Sequence, residues 1–226
     1  MTSKFFFSLQ SIKPHTSGEE GTLTQVTQDH VPGFQDISFS LLKLKKNAAQ
    51  APIWHPNAHK IGYCLQGATL ISMRTPGGVE TFTVEAGEVF FVPMGYIHHI
   101  ANNGEMEASI SFAYSHARPD MMTLASAIHS LSDDVFVATF NAPSAFLEGL
   151  KKQAKSDLIT TFPAKKRETH AISSRFKFDM AHSAKAVLTH GGYLQLATKT
   201  NLPQLEGLGI LGFGLNAKGV VEPHWH

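Results

Sequence analysis

The chain has 226 residues, 42% of them hydrophobic and 16% charged, with a formal net charge of +1. That is enough apolar material for one large packed domain or two small ones, and so neutral a balance offers nothing to nucleic acid or an anionic membrane. The single cysteine, Cys64, excludes an intrachain disulfide and a disulfide-built secreted scaffold.

The N-terminal run from Lys4 to Leu9 is too short for a signal-peptide core. No stretch approaches the roughly 18 apolar residues of a membrane-spanning helix. The expectation is a soluble, cytoplasmic protein. From there the chain reads as short strands broken by turns. Strands are expected at 23–26, 37–44, 61–65, 68–73, 80–84, 89–92, 98–101 and 108–114. Gln66-Gly67, Thr75-Pro76-Gly77-Gly78, Glu85-Ala86-Gly87 and Pro93-Met94-Gly95 supply the turns. Such spacing indicates a sandwich or barrel. After Arg118 the period changes: Met121, Leu124, Ile128 and Leu131 fall at helical spacing, and Ser132-Asp133-Asp134 and Pro143-Ser144 open two further helices. Residues 160–173, with Lys165, Lys166 and Arg167, read as a linker.

The chain also repeats itself. Residues 3–55 align with 174–226 without a gap at an offset of 171, with 11 identities in 53 positions. Gly21 matches Gly192, Leu44 matches Leu215, and Pro52, Trp54 and His55 match Pro223, Trp225 and His226. Duplication is the expected origin.

Two stretches carry chemistry. Pro52–Gly67 and Gly87–Asn102 resemble the two signature motifs of the cupin family, His-x-His followed by Glu and Gly, and Gly followed by Pro-x-Gly, His and Asn. The second is complete, with Gly87, Pro93, Gly95, His98 and Asn102. The first keeps its frame but has Ile53 in place of its first histidine and Lys60 in place of its glutamate. The resemblance, closest in kind to the germin and oxalate decarboxylase group of bicupins, spans essentially the whole chain. It implies an all-β fold, the cupin double-stranded β-helix or jelly-roll barrel, with a short helical segment after it. The implied organisation is a first cupin domain over 1–159 (barrel about 20–115, helices about 118–153), a linker over 160–173, and an incomplete start of a second domain over 174–226. A natural short form whose tail packs on the first domain is the alternative. Strands in the 190s to 210s are expected to add to the first barrel or to a partner chain.

The family's three imidazoles and one carboxylate suit a divalent metal such as Mn, Fe, Zn or Ni. Here only His55 and His98 keep their ligand positions, so metal should be weak or absent in the first barrel. His59 and His99 could rescue a site by a one-residue slip. Otherwise His55 and His98 are leftover core histidines, or a small anion binds near Lys60. His55, Lys60, Tyr63, Phe91 and His98 are the pocket candidates. In the second copy His224 aligns with Ile53 and His226 with His55, restoring His-x-His in an incomplete site. Oxalate decarboxylases carry an arginine three residues before the first motif histidine, but Gln50 and Val221 stand there, which argues against oxalate as a substrate.

Cys64 reads as a small buried hydrophobe, Arg74 and Arg118 as solvent-paired, and His30, His116, His129 and His170 as surface histidines. Three functions follow: a metal-dependent bicupin acting on a small carboxylate or related acid, as an oxidoreductase or decarboxylase with chemistry in the second copy; a small-molecule binding or sensing module; or a storage or structural cupin. A homo-oligomer is expected, with no nucleic-acid or membrane partner.

Overall fold

A computed structural model describes residues 7–154, 157–163 and 173–223. In chain order the strands are β1 (Thr16–Gly18), β2 (Gly21–Val26), β3 (Ser38–Leu44), β4 (Ala48–Trp54), β5 (Lys60–Gln66), β6 (Ala68–Thr75), β7 (Gly78–Glu85), β8 (Glu88–Val92), β9 (His98–Ala101) and β10 (Ala108–Tyr114). A short strand β11 (Met122–Thr123) leads into helices α1 (Leu124–His129), α2 (Asp133–Phe140) and α3 (Ser144–Gln153). Then come β12 (Ile159–Thr161), β13 (Lys177–Asp179), β14 (Val187–Thr189), β15 (Gly192–Ala197) and β16 (Ile210–Leu215).

The strands form a jelly roll of two facing sheets. One runs β1-β2-β3-β10-β5-β8-β13, and the other runs β11-β4-β9-β6-β7, with β12 also on β4. Inward residues alternate along each strand, as on β3, where Ser38, Ser40, Leu42 and Leu44 are buried and Phe39 and Lys43 exposed. Leu42, Ile71, Phe82, Phe90, Ile100 and Phe112 fill the space between the sheets. The turn glycines of the second motif are there for geometric reasons. Gly87 and Gly95 have φ of +91° and +81°, which side chains rarely adopt. Asn102 is fully buried. Its amide donates to the carbonyls of Leu44 and Met106, and its Oδ1 accepts from the Gly104 amide, so it closes a loop rather than facing the interior site.

The repeat is visible as backbone geometry. β1, β2 and β3 recur as β14, β15 and β16. The pairs Gly18↔Gly21 and Gly21↔Leu44 reappear as Thr189↔Gly192 and Gly192↔Leu215, each displaced by 171 residues. The expectation that the 190s to 210s extend the first barrel is corrected here: β14-β15-β16 closes as its own three-stranded sheet. Their hydrogen bonds are used among themselves, because the duplicated register pairs them with each other. The strand that does cross over is β13, which pairs antiparallel with β8 (Phe178↔Val89). Residues 159–161, at the head of the expected linker, pair with β4 instead of running free.

β13 is pinned to the jelly roll by side chains as well. Phe176, just before it, is 1% exposed, worth about 1.5–3 kcal/mol of apolar burial. Lys177 donates to both carboxylate oxygens of Glu88, at 2.7 and 3.0 Å, and to the Thr83 carbonyl, with the two ion-pair side chains each 13% exposed. Removing one partner of so shielded a pair strands the other charge. Lys177→Ala is therefore expected to lower the urea-unfolding free energy by about 3 kcal/mol. Lys46→Ala, which breaks the exposed pair with Glu105, should cost under about 1 kcal/mol. Equal effects of the two substitutions would contradict the pinning role.

Candidate functional site

The interior end of β5 places Lys60 in the jelly roll. Lys60, Gly62 and Cys64 alternate inward along the strand, and Lys60 is 1% exposed. Its Nζ lies 3.2 Å from His98 Nε2 and 4.0 Å from the centroid of the Phe112 ring. His98 arrives from β9 and is 1% exposed, and His55 follows directly on β4 at 3% exposed. The two imidazole centroids are 6.4 Å apart. Tyr114, from β10, packs edge-on against His55 at 5.0 Å and shares a hydrogen bond of 2.8 Å with Ser40.

The hydrogen bonds fix the tautomers. A carbonyl oxygen only accepts, so His55 Nδ1–H donates to Asp120 O at 2.7 Å and His98 Nδ1–H donates to Tyr96 O at 3.0 Å. Both Nε2 atoms are then bare acceptors. His98 Nε2 accepts an N–H of Lys60. Among the described residues, His55 Nε2 is buried with no partner.

Burial drives the electrostatics. It pulls the Lys60 amine down from 10.5 to about 7. His55 falls to about 4, first through burial and then through the Lys60 charge. The same two causes, in that order, hold His98 well below the ordinary histidine value. Both rings are neutral near pH 7. Tyr114 is raised by burial.

Not every expected residue converges here. Tyr63 and Phe91 lie on the other face of their strands. Tyr63 lines a cleft of about 580 Å³ between the first sheet and residues Gln195 and Ile210, and Phe91 stacks on His59 at 5.5 Å. The inward positions beside them are Gly62 and Phe90. This is the correction that the period-two strand forces: an error of one residue reverses the face. His59 accepts from the Met94 amide, at 3.1 Å, and its ring stacks on Phe91. His99, next to His98, points to the opposite face. His224 and His226 lie outside the described residues. Sequence reading missed Tyr114, Ser40, Phe112 and Asp120. An inward count along β10 would have reached Phe112 and Tyr114, but the Asp120 carbonyl comes from a loop with no signature.

The residues present do not fit the divalent metal that the fold family implies. Ile53, 1% exposed, fills the first imidazole's position. The Lys60 amine sits against the nitrogen of His98 that would face an ion. Among the described residues no group of three or more His, Cys, Asp or Glu could hold a metal. Of the other residues considered, Arg118 pairs with Asp29 at 2.7 Å, and Cys64 is buried with its thiol pushed up to about 11.

The depressed amine makes stability depend on pH. Unfolded, Lys60 keeps its proton up to about pH 10.5, and folded only up to about 7. Across that window the unfolded state binds more protons, so stability rises with pH, by up to about 1.4 kcal/mol per pH unit from this group. His55 gives a rise of the same sign from about 4 to 6.5. Urea titrations of the wild type and Lys60→Met are expected to differ in slope between pH 7 and 10, with the variant flatter. Parallel curves would show that the amine is not buried.

Comparisons agree with this frame. The Cupin family model matches residues 7–145. Germin-like protein subfamily 2 member 2 of Arabidopsis thaliana is 28% identical over 159 residues, covering 67% of this chain and 73% of that one. Germin-like protein 4-1 of Oryza sativa subsp. japonica is 32% identical over 136 residues, covering 55% and 54%. Oxalate decarboxylase from Bacillus subtilis, solved at pH 4.6, superposes with a TM-score of 0.75 at 17% identity, over 87% of this chain and 53% of that one. This chain thus spans about half the length of that decarboxylase. With the complete second motif holding the turn before His98 and the jelly roll around it, the chain belongs to the cupin family.

Proposed function

We propose that this chain forms the non-catalytic cupin of a two-cupin protein acting on a small carboxylic acid, with metal chemistry assigned to the second copy. One observation carries this reading. Lys60 Nζ stands 3.2 Å from His98 Nε2, where a metal would otherwise meet that imidazole. A lysine in place of the family's glutamate does more than delete an anionic ligand. It fills the locus with an amine, which repels a dication when protonated. The duplicated β1–β3 register in β14–β16 supports a second cupin copy, and His224 and His226 stand at the positions of Ile53 and His55. The intact second motif around an altered centre fits a scaffold role for the first copy, since a fold can persist when its site chemistry is lost. In this reading the protein is cytoplasmic and the jelly roll associates with further copies.

Metal analysis of the chain purified without a histidine tag tests the reading. The expected result is less than one equivalent of Mn, Fe, Zn or Ni. Any bound metal should be lost on His226→Ala and kept on His98→Ala. A full equivalent removed by His98→Ala would overturn the reading. The converse experiment is a gain of function. Ile53→His with Lys60→Glu is expected to create a stoichiometric site that the wild type lacks, at three imidazoles and one carboxylate. Failure of the folded double variant to take up more metal than the wild type would show that the two substitutions are not what disabled the site.

A further inference from the structure

The cleft of about 580 Å³ lies outside the jelly-roll interior, between the outer face of the first sheet and one face of the β14–β16 sheet. Strand alternation builds both walls. Phe39 on β3, Tyr63 on β5 and Ala113 on β10 turn outward from the first sheet, and the registers Ala113↔Phe39 and Ser111↔Tyr63 set them side by side. Tyr193 and Gln195 on β15, with Ile210 on β16, form the opposite wall. None of the residues that line the cleft is charged. Its volume falls within the range of about 300–1,000 Å³ that holds small organic ligands.

The second observation is independent of the cavity. Gln195 is 6% exposed. Its Nε2 donates to the carbonyls of Met180 and Ser183, the latter at 3.1 Å. Carbonyl oxygens only accept, so these bonds fix which end of the amide is nitrogen and leave Oε1 as an acceptor on the side away from them. Among the described residues no N–H or O–H reaches Oε1. It is not sealed off as Nε2 of His55 is, and Gln195 lines the cleft, so Oε1 opens into it. An occupant that covers this oxygen without bringing a donor loses affinity. One that carries a negative charge finds no cation in the lining to pair with it. Lys185 Nζ stands over the Tyr193 ring at 4.2 Å but outside the lining.

We propose that this cleft binds neutral aromatic molecules that carry a hydroxyl, with the ring between the two sheets and the hydroxyl donating to Gln195 Oε1. Phe39, Tyr63 and Tyr193 supply aromatic surface, against which a flat ring packs edge-on or offset. The amide oxygen fixes the orientation of the ligand, as a single well-placed polar group does in an otherwise apolar site. Both walls are needed, so the site exists only where the β14–β16 sheet faces the first sheet. The inference is independent of the metal content of the jelly-roll interior.

Equilibrium dialysis of the whole chain against 2-naphthol at pH 7 tests it. The expected result is saturable binding of one equivalent. 2-Methoxynaphthalene, which has the same rings and no donor, should bind about tenfold more weakly, the effect of one acceptor left unsatisfied. The anion 2-naphthoate should bind at least as weakly as the ether. Ala113 is half-buried on the outer face of β10, so Ala113→Phe puts a ring into the cleft and is expected to abolish binding while the urea midpoint stays near the wild type. Absence of saturable 2-naphthol binding overturns the inference. Equal affinity for the naphthol and its methyl ether, or tighter binding of the naphthoate, overturns the role of Gln195, and unchanged binding by folded Ala113→Phe places the ligand elsewhere and overturns the site. The comparison of the three ligands on the wild type decides the matter even where the variant does not fold. Metal analysis reads a different part of the molecule, so this inference and the metal-free reading fail separately.

Discussion

The hydrogen bond from the Lys60 amine to His98 Nε2 is the constraint on which the interior of this cupin depends. A lysine so deeply buried costs the fold its hydration, and the surroundings answer in two ways. The amine loses much of its charge near neutral pH, and His98 is fixed in the tautomer that can accept from it. The Phe112 ring below the nitrogen adds a weak electrostatic contact. Burial first, and the Lys60 charge second, hold both imidazoles neutral, and among the described residues Nε2 of His55 has no partner. What looks in the motif like two independent substitutions, Ile53 and Lys60, is one physical change. The isoleucine removes a ligand and adds apolar wall, and the lysine then fills the remaining space with a donor where an anion and an ion would have been.

Around that centre the frame is intact because it never depended on the metal. Asn102 binds two carbonyls and a loop amide, and Gly87 and Gly95 hold positive φ in turns. Such features shape the sandwich whether or not an ion is present. The duplicated strands make the same point from the other end of the chain. β14–β16 reproduces the register of β1–β3 residue for residue, although Leu42 is fully buried and its counterpart Phe213 is 55% exposed. Local pairing is therefore encoded more strongly than the packing of either face.

That difference explains what could be read from the residues alone. The eight expected strands lie where alternation and Gly/Pro turns coincide, and all eight form. β4 was not foreseen. It carries Pro52, which lacks an amide hydrogen, and its ladder to β9 slips between Gln50 and Ile53 to accommodate such a residue. Lys60, His55 and His98 were legible from motif spacing, because spacing on strands fixes depth and face. Tyr63 and Phe91 were misplaced, since a list of residues near a motif ignores which way each strand residue turns. Tyr114 with Ser40, and the Asp120 carbonyl, join the site through tertiary register spanning 65 to 74 residues, and no local pattern records that. The expected addition of the duplicated strands to the first barrel failed for a related reason: hydrophobic pattern marks strands but not their partners, and the strand that crosses to the first sheet is the three-residue β13.

The most direct test of the account is a crystal structure from crystals soaked in manganese, read by anomalous scattering. The account predicts no anomalous peak between His55 and His98, and density for Lys60 Nζ within hydrogen-bond reach of His98 Nε2. A peak coordinated by those two histidines, with the Lys60 side chain turned away, would contradict it.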